Sequence, residues 1–253
     1  MSRLTIIPSP TPDVILTPYS ESEFPRFSEI FKPADGNTHP AIKRLLHPAD
    51  DAELTLVLHN RSQKAITAMQ EHWLIKNKSG YVGPWTNSLD SYHSDFSHPV
   101  VDPGDRHLLS VGINVSERFL TYVRSGGAVG EGFDRPQEEN WVSELTFQVY
   151  LVVFEDGEIA GPDPEHFCDE LIRHREAAEF IARQIRLAES EGRDARPVLS
   201  ALMKAPLLES DYAAHWVQWY ARSYLIGAES QEAQLHRLEN FPALPKFYRR
   251  TAN

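Results

Sequence analysis

The stretch Val149-Tyr-Leu-Val-Val-Phe-Glu-Asp-Gly-Glu-Ile-Ala-Gly-Pro-Asp-Pro-Glu-His-Phe167 decides how the chain is read. It runs from an unbroken apolar segment through an acidic pair and two glycines to Asp163-Pro164, a helix-starting signature. Asp156-Gly157, set before Glu158-Ile159-Ala160, predicts a two-residue hairpin of type I′, a turn that needs positive φ at both central positions. Glu155-Asp156 is therefore read as a structural corner. A calcium loop would need further acids at alternate positions, and none follow. The strand before the corner is apolar on both sides: Leu145, Phe147, Val149, Leu151 and Val153 on one, Tyr150, Val152 and Phe154 on the other. A sandwich strand needs only one buried face. The second face is expected to be covered by the C-terminal helices, docked on this hairpin.

Upstream of the corner the apolar period is two. In Glu53-Leu-Thr-Leu-Val-Leu-His-Asn60, Leu54, Leu56 and Leu58 point one way and Thr55, Val57 and His59 the other. A second strand is expected over Ala65–Ile75, carrying Trp73, with its alternation slipping at Gln70-Glu71 as at a bulge. Further strands are expected at Ser91–Ser97, at Arg106–Asn114 (Leu109, Val111 and Ile113 inward) and at Trp141–Glu155. Residues 1–50 read as an extended arm, with an edge strand at Val14–Thr17 and a short helix near Pro40–Leu46. The glycine-rich section Arg124–Asn140 lacks a following helix, so it is a long loop and not a dinucleotide fingerprint.

Downstream the period becomes 3.6. Phe167, Leu171, His174, Ala178, Ile181, Ile185 and Ala188, broadened by Ile172 and Ala182, mark an amphipathic helix from Pro164 to about Ser190, ended by Glu191-Gly192. Three more helices are expected at about Asp194–Lys204, Ser210–Ile226 (capped by Gly227) and Ser230–Asn240. The chain is thus expected to be α+β: an arm over 1–50, an antiparallel immunoglobulin-like β-sandwich over 51–163, and an α-helical region over 164–253 packed against it.

The segments Leu56-Val-Leu-His-Asn-Arg-Ser-Gln-Lys-Ala-Ile66, Val101-Asp-Pro-Gly-Asp105 and Val153-Phe-Glu-Asp-Gly-Glu-Ile-Ala-Gly-Pro-Asp163, followed by a long helix, carry a resemblance. They resemble an uncharacterised group of bacterial proteins that join an immunoglobulin- or fibronectin-type-III-like sandwich to a helical tail. The resemblance implies the fold and transfers no activity, because its motifs are turns and such folds host many functions.

Charge narrows the partners. With a net charge of -11 and a pI near 5.5, the chain does not suit a nucleic-acid backbone or an anionic membrane as its main partner. The one basic cluster, Lys246-Phe-Tyr-Arg-Arg250, reads as a frayed terminus. Cys168 is the single cysteine, so neither an intrachain disulfide nor a multi-cysteine metal site is available. No segment reaches transmembrane length, and the N-terminal apolar run is too short for a signal-peptide core, so the chain reads as soluble and cytoplasmic. A leader removed ahead of it would make it secreted or periplasmic. Three Asn-x-Ser sequons, at Asn60, Asn77 and Asn114, match too easily by chance to imply glycosylation.

Candidate chemistry is sparse, and each case has a plain structural alternative. His93, Asp95 and His98 offer at most three metal donors without a recognised motif. His166, Glu170 and His174 are spaced four and four and drift about 40° per step, so they do not face one ion squarely. His174 also falls in the apolar seam, where a hydrogen-bonded core histidine is the simpler account. The aromatic face Tyr212, Ala213, Trp216, Val217, Trp219, Tyr220 and Tyr224 would serve as a stacking platform or as core. The opposite stripe Asp211, His215, Gln218 and Arg222 would serve acid–base chemistry or form a solvated surface. Cys168 sits in a helix first turn, which lowers a thiol pKa if it is exposed. No nucleophile elbow, Ser-x-x-Lys, His-Glu-x-x-His or phosphate loop is present. These readings assign no catalytic, cofactor-binding or metal residue and no cofactor. They favour a non-enzymatic protein-interaction or assembly module, through a protein partner or self-association. The alternative is a hydrolase or carbohydrate-binding protein with a cleft between the β-sandwich and the helices.

Overall fold

The structure is a computed structural model that describes residues 3–19, 55–77, 79–80, 82–91, 99–110, 113–116, 142–206, 212–226 and 230–248. The expected helix at Pro40–Leu46, the loop at 124–140, and His93, Asp95, His98, Asp211 and Gly227 lie outside these residues. So does most of the expected strand Ser91–Ser97. The described strands are β1 (Arg3–Ile6), β2 (Val14–Pro18), β3 (Leu56–Asn60), β4 (Ile66–Asn77), β5 (Val82–Asp90), β6 (Arg106–Ser110), β7 (Ile113–Ser116), β8 (Val142–Phe154), β9 (Glu158–Ala160) and β10 (Phe247–Tyr248). The described helices are α1 (Phe167–Ser190), α2 (Arg196–Lys204), α3 (Tyr212–Ile226) and α4 (Gln231–Glu239). The class is α+β. The chain divides into a β-rich unit (residues up to Leu89, Pro99–Phe154, Ala160–Pro162) and a helical unit (Asp90–His98, Glu155–Ile159, Asp163 onward).

In the β-rich unit two sheets share one core. Strands β2-β3-β6-β7 form an antiparallel sheet, and β8, β4 and β5 are successive neighbours in the other. Leu56, Leu58 and Leu109 from the first pack with Met69, Trp73, Phe147, Val149, Val152 and Phe154 from the second. The second sheet is mixed, not wholly antiparallel as expected: β1 pairs with β8 in parallel, Leu4 beside Leu145 and Ile6 beside Phe147. A parallel pair needs a long crossover, and most of the chain lies between these two strands.

Register shifts overturn the expected two faces of β8. Gln70 pairs with Leu151 but Glu71 pairs with Val149, so Tyr150 is the extra residue of a bulge. Side-chain parity inverts there. Leu145, Phe147 and Val149 face the core before the bulge, and Val152 and Phe154 face it afterwards. Val152 and Phe154 are therefore covered by the β-rich unit's own core. Next to the bulge, Gly161 has φ +98°, and a Cβ there would collide with the Tyr150 carbonyl oxygen and stand 2.8 Å from Pro10 Cβ.

Other expectations also change. The Asp156-Gly157 turn is not type I′: only Gly157 has positive φ (87°), and Asp156 Oδ1 accepts from Glu158 N at 3.1 Å. A three-residue connection ending in a left-handed glycine suits a type I turn with a bulge. Arg106–Asn114 is not one strand but the hairpin β6–β7, reversing between Ser110 and Ile113, with Leu109 opposite Asn114. β5 escaped the period-two reading because Gly83-Pro84 interrupts it. Nor is the tail wholly frayed: Phe247 and Tyr248 pair in parallel with Glu158 and Ile159, and Lys246 N donates to Gly157 O at 2.8 Å.

In the helical unit, α1 packs on α3 and α4, and α2 packs on α3. Ala178, Ile181, Ile185, Leu199, Tyr220, Tyr224, Leu235 and Leu238 form its core. Helix α1 starts at Phe167, not Pro164, because His166 is left-handed (φ 57°). Asp163 still caps it, accepting from Phe167 N at 2.7 Å and Cys168 N at 3.0 Å. At the other end Gly192 (φ 68°) donates to Glu189 O, and Arg193 N reaches Ala188 O, a Schellman closure. Ser230 Oγ caps α4 through Ala233 N.

Candidate functional site

A cluster of ionisable and aromatic groups lies in the helical unit around His174. The ring sits in the apolar seam of α1 and is 1% exposed. One turn earlier on the same helix, Glu170 Oε1 stands 3.8 Å from Nε2, while Asp90 Oδ1, at the end of β5, stands 3.9 Å from Nδ1. From α3, Trp216 lies against the imidazole with ring centroids 3.6 Å apart and planes at 59°. Burial works against the charged ring, but the Asp90 and Glu170 carboxylates outweigh it and hold the His174 pKa above its ordinary 6.5. The carboxylates lie at opposite ring nitrogens, and among the described residues no group of three or more His, Cys, Asp or Glu is placed to hold a metal ion.

The two residues spaced at helical intervals before His174 divide. Glu170 joins it, whereas His166 is solvent-exposed and only approaches Asp169, at 3.6 Å. Asp90 was missed because it sits on β5. Helical phase did indicate Glu170, which lies four residues before His174. In the stripe on α3, His215 and Arg222 are exposed, and Gln218 donates to Ala205 O. The aromatic face is mainly core: Tyr220 and Tyr224 are buried, and Trp216, Val217 and Trp219 are half-buried against them, while Ala213 is exposed. Edge-to-face contacts run from Trp216 to Trp219 (6.2 Å), to Tyr220 (5.0 Å) and on to Phe241 (6.0 Å).

Three further groups have unusual environments. Glu71 is fully buried on β4, in line with Met69 and Trp73 on the core side, and Trp73 Nε1 donates to its Oε2 at 3.2 Å. Burial pushes its pKa up to about 7, opposed by hydrogen bonds with Trp73 and Asn87. Burial also pushes His107 on β6 down to about 4, against a hydrogen bond with the Val100 backbone. The Cys168 thiol is pushed up to about 12 by burial and by Asp163, the reverse of an exposed helix-terminal thiol. Sequence reading passed over Glu71 and His107, although a charged residue at an inward position of an apolar strand is a usable signal.

Asn60, the first of the sequons, is fully buried. Its Nδ2 donates to Lys64 O at 2.9 Å and to Val101 O and Asp102 O at 3.2 Å, and its Oδ1 accepts from Ser62 Oγ at 2.6 Å. That amide is a structural hub closed to a glycan. No described helix is long and apolar enough to cross a membrane.

Comparison with known proteins finds no matching family, no similar curated protein and no similar solved structure.

Proposed function

We propose that this chain is a non-enzymatic protein-interaction or assembly module, built as an immunoglobulin-like sandwich joined to a helical region. One observation carries the reading. Strand β5 has only β4 as a neighbour among the described strands, and it leaves Val82 47% and Trp85 37% exposed, with Leu74 on β4 at 39%. An edge strand bordered by exposed apolar side chains offers backbone donors and acceptors to an added strand, with side chains to anchor it. The test is light scattering across a concentration series, together with affinity capture, on wild type and on Val82→Lys and Trp85→Ala. Association that weakens in both variants supports the reading. A monodisperse monomer that captures nothing overturns it.

A second reading, a hydrolase or carbohydrate-binding protein, draws on Asp90, His174, Glu170 and Trp216. Against it, both ring nitrogens of His174 already face carboxylates, which leaves neither open to take a substrate proton.

A further inference from the structure

We infer that Asp90, His174, Glu170 and Trp216 form a pH-sensitive clamp inside the helical unit. In it an imidazolium is held between two carboxylates and against an indole, and the clamp loosens as the ring loses its proton. The geometry assembles three separate pieces of chain. Helix α1 supplies His174 and Glu170, α3 supplies Trp216, and Asp90 is the residue at which the chain leaves the β-rich unit. The Asp90 side chain is 7% exposed and the His174 side chain 2%, whereas Glu170 is 44% exposed. Asp90 and Glu170 are the charged groups among the described residues that act on the ring; on α3, His215 contacts Trp216, with ring centroids 5.6 Å apart.

Protonated, the ring neutralises one of two flanking carboxylates and presents a cation to the Trp216 face. Deprotonated, it no longer attracts either carboxylate, and the electrostatic hold between α1 and the Asp90 segment weakens. Glu170 is the more exposed of the two carboxylates, so Asp90 is the one whose attraction to the ring is screened least. The sign follows from the raised pKa of the folded protein. The clamp's stabilisation is complete below 6.5, the unfolded value, and is lost as pH rises through the folded value above it.

The test is a proton NMR titration of the His174 Cε1–H resonance in the full chain, assigned with His174→Gln, with indole emission followed in parallel. A midpoint above 6.5 is expected in wild type, lowered by Asp90→Asn and lowered less by Glu170→Gln. Imidazolium quenches a contacting indole, so emission should rise at the same midpoint, and the rise should vanish in Trp216→Phe. A wild-type midpoint at or below 6.5, or an emission change that survives Trp216→Phe, overturns the clamp. If Asp90→Asn does not fold, the wild-type titration and Glu170→Gln still decide.

Discussion

Trp73 donates its indole N–H to Glu71 Oε2 at 3.2 Å inside the core shared by the two sheets, two residues apart on β4 and on the same side. A carboxyl there is tolerated because the bond satisfies one oxygen and because the group stays protonated over much of the acidic range.

That protonation has a direction in pH. The Glu71 pKa rises from 4.5 to about 7 on folding, so the native state holds the proton more tightly. Its contribution is complete below pH 4.5 and falls by up to about 3 kcal/mol as pH rises to 7. Glu71→Gln removes the titration. In urea unfolding, the variant is expected to gain stability relative to wild type as pH goes from 5 to 8.

His107 has the opposite sign. Its pKa falls from 6.5 to about 4 on folding, so its stabilisation is present above 6.5 and is lost as pH drops through 4. His107→Gln should flatten the acid limb of the unfolding curve below pH 6, measured by circular dichroism at stepped pH.

At Gly161 the backbone has φ +98°, and the Tyr150 carbonyl occupies the place a Cβ would take. Gly161→Ala is expected to destabilise the chain by at least about 2 kcal/mol, read as a drop in the urea midpoint. Gly192→Ala is the control, because φ is 68° and nothing lies within 4 Å of its Cβ position. Its loss should be smaller.

Asn60→Ala withdraws the amide that serves the carbonyls of Lys64, Val101 and Asp102. Each carbonyl keeps another donor (Ser62 Oγ for Lys64 O, Ile66 N for Val101 O, Asp105 N for Asp102 O), so each lost bond costs about 1 kcal/mol and a total of about 3 kcal/mol is expected in denaturant unfolding.

Cys168 should be inert in the native state. With its pKa pushed up to about 12, it is expected to react with a thiol reagent at pH 8 far more slowly than the same chain in guanidinium.

The sequence by itself determined the order of the halves and much of the helical unit. Phe167, Leu171, Ala178, Ile181, Ile185 and Ala188 are buried where a period of 3.6 put them, and Gly192 ends α1 as written. These features are local: a helical stripe and a glycine cap depend on residues three to five apart. Tertiary structure decided what local pattern does not encode. The extra residue at Tyr150 reversed the faces of β8, because strand parity counts register against a partner and not position in the chain. β1 joined β8 across most of the sequence, and Asp90 reached His174 from a strand that Gly83-Pro84 concealed. The candidate site was half legible for that reason. Glu170 and His174 share one helix and its phase, whereas Asp90 and Trp216 meet them only once separate segments have packed.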